Sequence, residues 1–501
     1  MNPSDNLQTV AQLTPSLVWQ LFAGISDVPR PSKREERIRK HVRNWAASKN
    51  LVYREDDVGN VLIEVPASTG HENAPIIVLQ AHLDMVHEKN SGTTHDFDND
   101  PIRLKIVKDQ ASGRTIVRAT DTTLGADNGM GVAMAMAVAI APDITHGPLE
   151  LLFTLDEEDG MTGAKALQAD FIKGRTLLNL DTEEDDTIYV GCAGGCDTNI
   201  SLRFATGDRD SGPSDEVLVK VAGLRGGHSG TEIHENRGSA IKLLTRTLLR
   251  SGASGLQVSD IRGGSKRNAI PREASALIAV SVGSFDALRA SADQVRTQAM
   301  TESAEANLAI TVEHHKCDKS HSWLTAEDTK RLLTCLAALP QGVLGMSPAV
   351  PGLVQTSNNV STIGCRRDGS DTVVEVGTLS RSSNASCLDN TCEQIAAVAR
   401  LAGGAVETGN EYAGWDPDLD SKVLGVARRV YEETFNEAPK VEAVHAGLEC
   451  GIIGRRVPGM DMTSIGPTIT GAHSPDELTY ADSVEKSWRY LVAVLAALAR
   501  P

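Results

Sequence analysis

The chain has no excess of positive charge: across 501 residues, 66 Asp and Glu stand against 49 Lys and Arg, a formal net charge of -17. That balance repels polyanions and makes nucleic acid and anionic membrane poor partners. Long apolar runs are also missing. The longest run of small apolar residues, GVAMAMAVAIA at 131–141, is too short to span a bilayer, and MNPSDNLQTVAQL has no basic segment leading into an apolar one. A soluble, cytoplasmic protein is expected. Cysteine is sparse, eight in all, and the close pair Cys192 and Cys196 in GCAGGC has no second pair at zinc-knuckle spacing. Reduced, structural thiols are expected in place of a disulfide framework. No internal repeat or low-complexity segment interrupts a composition of 41% apolar and 23% charged residues, which suits a globular chain of two or three domains.

What is present is an α/β pattern. In the first two hundred residues NVLIEV (60–65), PIIVLQAHL (75–83), TIVRAT (115–120), LELLFTLD (149–156) and TLLNLD (176–181) read as strands, with helices over 15–24, 33–49, 129–141 and 162–170. Several of these strands end in His or an acid. In open α/β sheets ligands bind beyond the carboxyl ends of the strands, so the recurrence carries more weight than any single residue. A second series of strands and helices, from EVLVKVAGL to TVVEVGTLS, occupies 192–388. Helices over 389–402, 419–435 and 483–499 then return to the style of the first region. The expected arrangement is a catalytic domain of 1–191 and 389–501, with a mixed, mostly parallel sheet flanked by helices, and an inserted α+β lid domain of 192–388.

The stretch APIIVLQAHLDMV places His82 and Asp84 two residues apart at the end of an apolar run, on one face if the strand continues. An isolated His-x-Asp is commonly just a polar strand end. Asp127 sits in TTLGADNGMG, at the start of a helix where a carboxylate stays ionised; the glycines there lack the lysine of a phosphate loop. Glu157 and Glu158 lie in FTLDEEDGMTGA, an acidic run that alone would suit a solvated turn, but adjacent carboxylates after a buried strand invite a counter-ion. Asp181 ends TLLNLD, and His473 lies in the loop GPTITGAHSPDE. Two histidines and several carboxylates form a mixed nitrogen and oxygen set that suits zinc, manganese or cobalt.

Taken in order, AHLDMV, TTLGADNG, DEEDGMTGA, NLDTEE, GLRGGHSG, RNAIPREA, HAGLECG and PGMDMTSIGPTITGAHSPDE resemble the aminoacyl-histidine dipeptidase family, in the aminoacylase and carboxypeptidase G clan of dinuclear metallopeptidases. The resemblance runs from about residue 15 to the C-terminus. It implies two divalent ions, zinc first with cobalt or manganese as alternatives, bridged by Asp127. His82 and Asp181 would complete the ligands of one ion and Glu158 and His473 those of the other. Glu157 would be the general base for the attacking water. Asp84 would orient the His82 imidazole and raise its basicity.

The resemblance further implies that the peptide after Asp127 is cis. In the inserted domain it makes His228 the residue that polarises the scissile carbonyl, and Asn268 and Arg381 the residues that bind the substrate carboxylate. His445 and Glu449 would face the substrate's amine or imidazole. The implied reaction is hydrolysis of dipeptides, Xaa-His and others including β-Ala-His, by a homodimer formed through the inserted domain. An amidohydrolase acting on N-acyl amino acids and a non-catalytic metal-binding protein are the alternatives. Two residues depart from the family pattern, His87 where proline is expected and Asp159 where a small neutral residue is usual. The added carboxylate of Asp159 is expected to raise the pKa of Glu157.

Overall fold

The computed structural model describes residues 4–110, 112–209, 214–303, 305–315, 322–348 and 350–500. The chain divides into two compact units, one of Met1–Gly191, Trp415–Ala443 and Leu448–Pro501, the other of Cys192–Gly414 and Val444–Gly447.

The first unit is built on an eight-stranded sheet in the order Val52–Glu55, Val61–Val65, Leu149–Thr154, Ile77–His82, Thr176–Asn179, Asp461–Ser464, Thr187–Cys192, Lys440–Val444. Ile77–His82 is central and every residue in it is buried, as expected for a nearly continuous apolar strand covered on both faces. It pairs in parallel with Leu149–Thr154 and Thr176–Asn179, and Asp461–Ser464 continues the parallel block. The helix Ala126–Val138 packs on the central strand and on the helix Ser16–Ser26. Its Ala, Gly and Met side chains are small or pliable enough for that double burial. Register brings the loops together: His82 lies opposite Thr154, and Gln80 opposite Asn179. Three parallel strands therefore release their chains at one end of the sheet, into the segments that carry Asp84, Glu157, Glu158 and Asp181. A small antiparallel sheet of Ile469–Thr470, Leu478–Tyr480, Thr115–Ala119 and Leu104–Lys108 supports the loop bearing His473.

The second unit has a nine-stranded sheet in which, among the described residues, neighbouring strands pair antiparallel. Its strands alternate: Ile200, Leu202 and Phe204 enter the core, whereas Asn199, Ser201 and Arg203 do not. The helices Ala240–Arg250, Phe285–Ser303, Ala326–Ala338 and Ala385–Leu401 supply the other side of that core.

This unit extends beyond the expected limit of residue 388. The strand Ala405–Tyr412 pairs with Gly194–Ala205, and Ile395 and Ala399 of the preceding helix are buried in the second core, so hydrogen bonds and apolar contact both retain them there. Val354–Asp368, too polar in sequence to suggest a strand, fills the middle of the sheet with buried Ser357, Asn358, Asn359 and Ser361. Among the described residues no helix is long and apolar enough to cross a membrane, and the described cysteines form no disulfide with one another. Cys317 lies outside the described residues.

Candidate metal centre

In the first unit His82 ends the central strand at 1% exposure. Its Nε2 lies 3.0 Å from Oδ1 of Asp127 and 3.4 Å from Oδ1 of Asp181, and its Nδ1 lies 3.3 Å from Oδ1 of Asp84. The other oxygen of Asp127, Oδ2, is 3.2 Å from Nε2 of His473, which also stands 2.9 Å from Oε2 of Glu158. One carboxylate thus has an imidazole on each oxygen, with a further carboxylate beyond each imidazole. His82, Asp127 and Glu158 can each offer a ligand atom within 4.8 Å of the other two. Oδ1 of Asp181 and Oε1 of Glu158 are buried without a hydrogen-bond partner.

Local sequence explains how these side chains are held. Asp127 follows Gly125, which has φ of +67° and whose missing Cβ would fall 2.6 Å from the Arg30 guanidinium, so a side chain there is excluded twice over. Glu477, 2% exposed, takes the amides of Leu124 and Gly125 on Oε2 and those of Ala126 and Asp127 on Oε1. The Asp127–Asn128 peptide is cis. Asp84 accepts from the amides of Glu157 at 3.1 Å and Glu158 at 3.2 Å, so one carboxylate faces His82 and fixes the acidic loop together.

The electrostatics are those of carboxylates crowded out of water. Burial pushes Glu157 well above the usual carboxylate range; His82 opposes the shift, and Glu158, Asp181 and Glu449 add to it. Burial likewise raises Glu158 and Asp181, and it pushes Glu183 up to about 9 with help from Asp127 and Asp181. Asp127 is also desolvated, but hydrogen bonds from His473 and His82 hold it well below its ordinary value. His473 is pushed up to about 11 by its bonds to Asp127 and Glu158. The imidazoles hold protons where the carboxylates call for cations, and two carboxylate oxygens lack donors. A set of two imidazoles and three carboxylates fits a pair of divalent ions.

In the second unit Nδ1 of His228 accepts from the amides of Gly230 at 3.3 Å and Thr231 at 3.1 Å. A ring whose Nδ1 accepts carries its proton on Nε2. Asn268 is exposed, and its carbonyl accepts from Ser229 N at 2.8 Å. Arg381 is no surface arginine: it is 5% exposed and donates from Nη1 to the Tyr412 hydroxyl at 2.6 Å, while its buried Nε lacks an acceptor. His445 bonds Ser357 Oγ through Nε2 at 2.7 Å, and burial and then the Arg381 charge lower it to about 3, so its ring is neutral.

Residues 78–497 match the model of peptidase family M20/M25/M40. The chain belongs to that family. As an M20 peptidase it is a hydrolase acting on peptide bonds. It is 41% identical over 494 residues to the cytosol non-specific dipeptidase of Escherichia coli K12, covering 98% of this chain and 99% of that protein. The crystal structure of aminoacylhistidine dipeptidase from Vibrio alginolyticus superposes with a TM-score of 0.85 at 39% identity, over 97% of this chain and 98% of that one. Aminopeptidase PepT from Bacillus cereus shares the fold, with a TM-score of 0.58 at 16% identity over 97% of this chain and 100% of that one.

Several residues that build the M20 site carry little sequence signal. Arg30, 2% exposed, donates to the carbonyls of Leu83 and Asp84 and to that of Gly125, joining the His82 and Asp127 segments. Nothing in DVPRPS announces it. Glu477 lies four residues after His473, and only its partners reveal its role.

Glu449 requires a correction. It is expected at the substrate, but it is fully buried in the first unit, and its Oε2 accepts from Gln80 Nε2 and Thr154 Oγ1, both at 2.6 Å. It braces the two central strands from within. Asp159 also differs from expectation. It forms an ion pair with Lys33 and raises the pKa of that amine, and it adds to the burial that raises Asp156, whereas the leading causes at Glu157 are burial, His82, Glu158, Asp181 and Glu449. His87 packs edge-on against Phe97 at 5.8 Å.

Proposed function

We propose that this M20 peptidase is a dipeptidase with two divalent ions, preferably zinc, that cleaves Xaa-His and other dipeptides, β-Ala-His included. Asp127, with an imidazole on each oxygen, is the observation that carries the reading. In it Asp127 would be shared between the ions, His82 and Asp181 would hold one, and Glu158 and His473 would hold the other. When bound, such ions lower the pKa of the attacking water and stabilise negative charge on the carbonyl oxygen.

The other steps belong to side chains. Glu157, half-buried and pushed up in pKa by desolvation, takes the proton of the attacking water and passes it to the departing amine. Asp84 keeps that glutamate in place through its amide and holds the His82 ring. Nε2–H of His228 donates to the scissile carbonyl oxygen. Arg381, with a buried Nε that lacks an acceptor, pairs with the C-terminal carboxylate, and Asn268 adds a hydrogen bond to it. The neutral ring of His445 meets the substrate near Arg381 without adding charge.

A cytoplasmic location accords with the sparse cysteines, which form no disulfide with one another among the described residues. A homodimer through the second unit belongs to the same reading, and would cover Val343, Leu344 and Met346, exposed on the strand Gly342–Met346. The test of the centre is metal analysis after chelation and reloading. Two ions per chain in the wild type, with loss of both affinity and stoichiometry in Asp127→Ala, are expected; one ion, or none, contradicts the bridging role.

A further inference from the structure

One face of the second unit's sheet carries charge in an ordered row. In the strand Ser214–Ala222, Val219 and Val221 enter the core and the intervening Lys220 is exposed. Lys220 lies directly opposite Ser275, and Ser275 directly opposite Arg262, so three adjacent strands present these side chains side by side. They form part of the wall of a cavity of about 820 Å³.

The lining is one-sided in charge: Lys220, Arg225, Arg262, Lys266 and Arg272 against Glu273. Two of the cations are already matched. Arg225 lies 3.7 Å from Glu305 and 3.9 Å from Glu235, and Arg262 lies 2.7 Å from Asp260. Lys220, Lys266 and Arg272 enter no ion pair among the described residues. In a chain of net charge -17, three unmatched cations facing one concavity run against the background composition. Low-dielectric walls concentrate such a field, and what it attracts is an anion.

The cavity is also lined by His228 and Asn268. Resting on the dipeptidase reading above, in which Asn268 helps to hold the C-terminal carboxylate, the substrate residue nearest the cavity is the C-terminal one. We infer that the cavity receives the side chain of that residue and selects a carboxylate there, favouring dipeptides that end in Asp or Glu over neutral isosteres and over those that end in Lys or Arg.

The experiment is a comparison of kcat/KM for Ala-Glu, Ala-Gln and Ala-Lys with zinc-reloaded enzyme, at low and at high salt. A charge-assisted contact that Gln cannot reproduce gives Ala-Glu an advantage of about tenfold or more over Ala-Gln. High salt reduces that advantage, and Ala-Lys is the poorest of the three. In the variant Lys220→Gln, Lys266→Gln, Arg272→Gln the Glu-to-Gln ratio drops to within about twofold of one. Lys266→Gln alone, in an exposed loop, lowers it part of the way and decides the matter if the triple variant does not fold. A wild-type ratio near one, or a ratio that the substitutions leave unchanged, overturns the inference while hydrolysis of Ala-Gln leaves the dipeptidase reading standing. Failure to cleave any of the three overturns both.

Discussion

Nε2 of His473 lies 3.2 Å from Oδ2 of Asp127 and, through hydrogen bonds to that carboxylate and to Glu158, the imidazole is pushed up to about 11. A metal ion requires the neutral ring, so ion uptake must expel protons. Zinc affinity should therefore rise with pH, and calorimetry in buffers of different ionisation enthalpy should register proton release on binding. The metal-free protein should show the complementary trend. The folded pKa of His473 exceeds its ordinary 6.5, so its contribution to stability is complete below that value and is lost as pH rises through about 11. The Tm of the chelated protein should fall between about pH 7 and about pH 10; a flat or rising Tm over that span contradicts the assignment.

In the proposed centre the adjacent glutamates divide the roles of ligand and base. Glu157→Ala should keep its metal and lose at least about 100-fold in kcat, the low end for a removed general base. Glu158→Ala and Asp127→Ala should lose metal as well. Equal metal loss in Glu157→Ala and Glu158→Ala would show that the two roles are exchanged or shared.

Arg381→Ala should raise KM sharply for free-acid dipeptides and matter much less for the same peptides amidated at the C-terminus, because the charge-assisted pair exists only with the acid. The same loss on both substrates would make Arg381 a structural residue.

The brace beneath the centre has its own signature. Glu449 is pushed up to about 8, chiefly by burial, so its neutral form prevails at lower pH and Glu449→Gln should be tolerated. Glu449→Ala leaves Gln80 Nε2 and Thr154 Oγ1 without their 2.6 Å acceptor and should cost about 2 kcal/mol. Urea unfolding checks this as a shift of midpoint at constant slope.

The pattern of legibility follows the physics of each element. Ile77–His82 and Leu149–Thr154 were readable because strands buried on both faces are apolar at most positions. Val354–Asp368 was not: its buried asparagines and serines satisfy one another and nearby carbonyls, as when Asn359 Nδ2 donates to Ala269 O at 2.8 Å, so burial leaves no apolar trace. The boundary at 388 failed because the pairing of Ala405–Tyr412 with Gly194–Ala205 is a contact between distant segments, invisible to local periodicity. In the site, His82, Asp127 and Glu158 stand in motifs whose order survives in sequence. Arg30 and Glu477 act through backbone carbonyls and amides, which any sequence supplies, and their roles appear only with the fold.

The most direct test of the account is release of free histidine from Ala-His, β-Ala-His and acetyl-His by chelated and by zinc-reloaded protein. The account predicts rapid release from Ala-His after reloading, release from β-Ala-His as well, none from acetyl-His, and no activity in the chelated sample until zinc, cobalt or manganese is returned. Undiminished hydrolysis of Ala-His by rigorously metal-free protein, or cleavage of acetyl-His as fast as Ala-His, would contradict it.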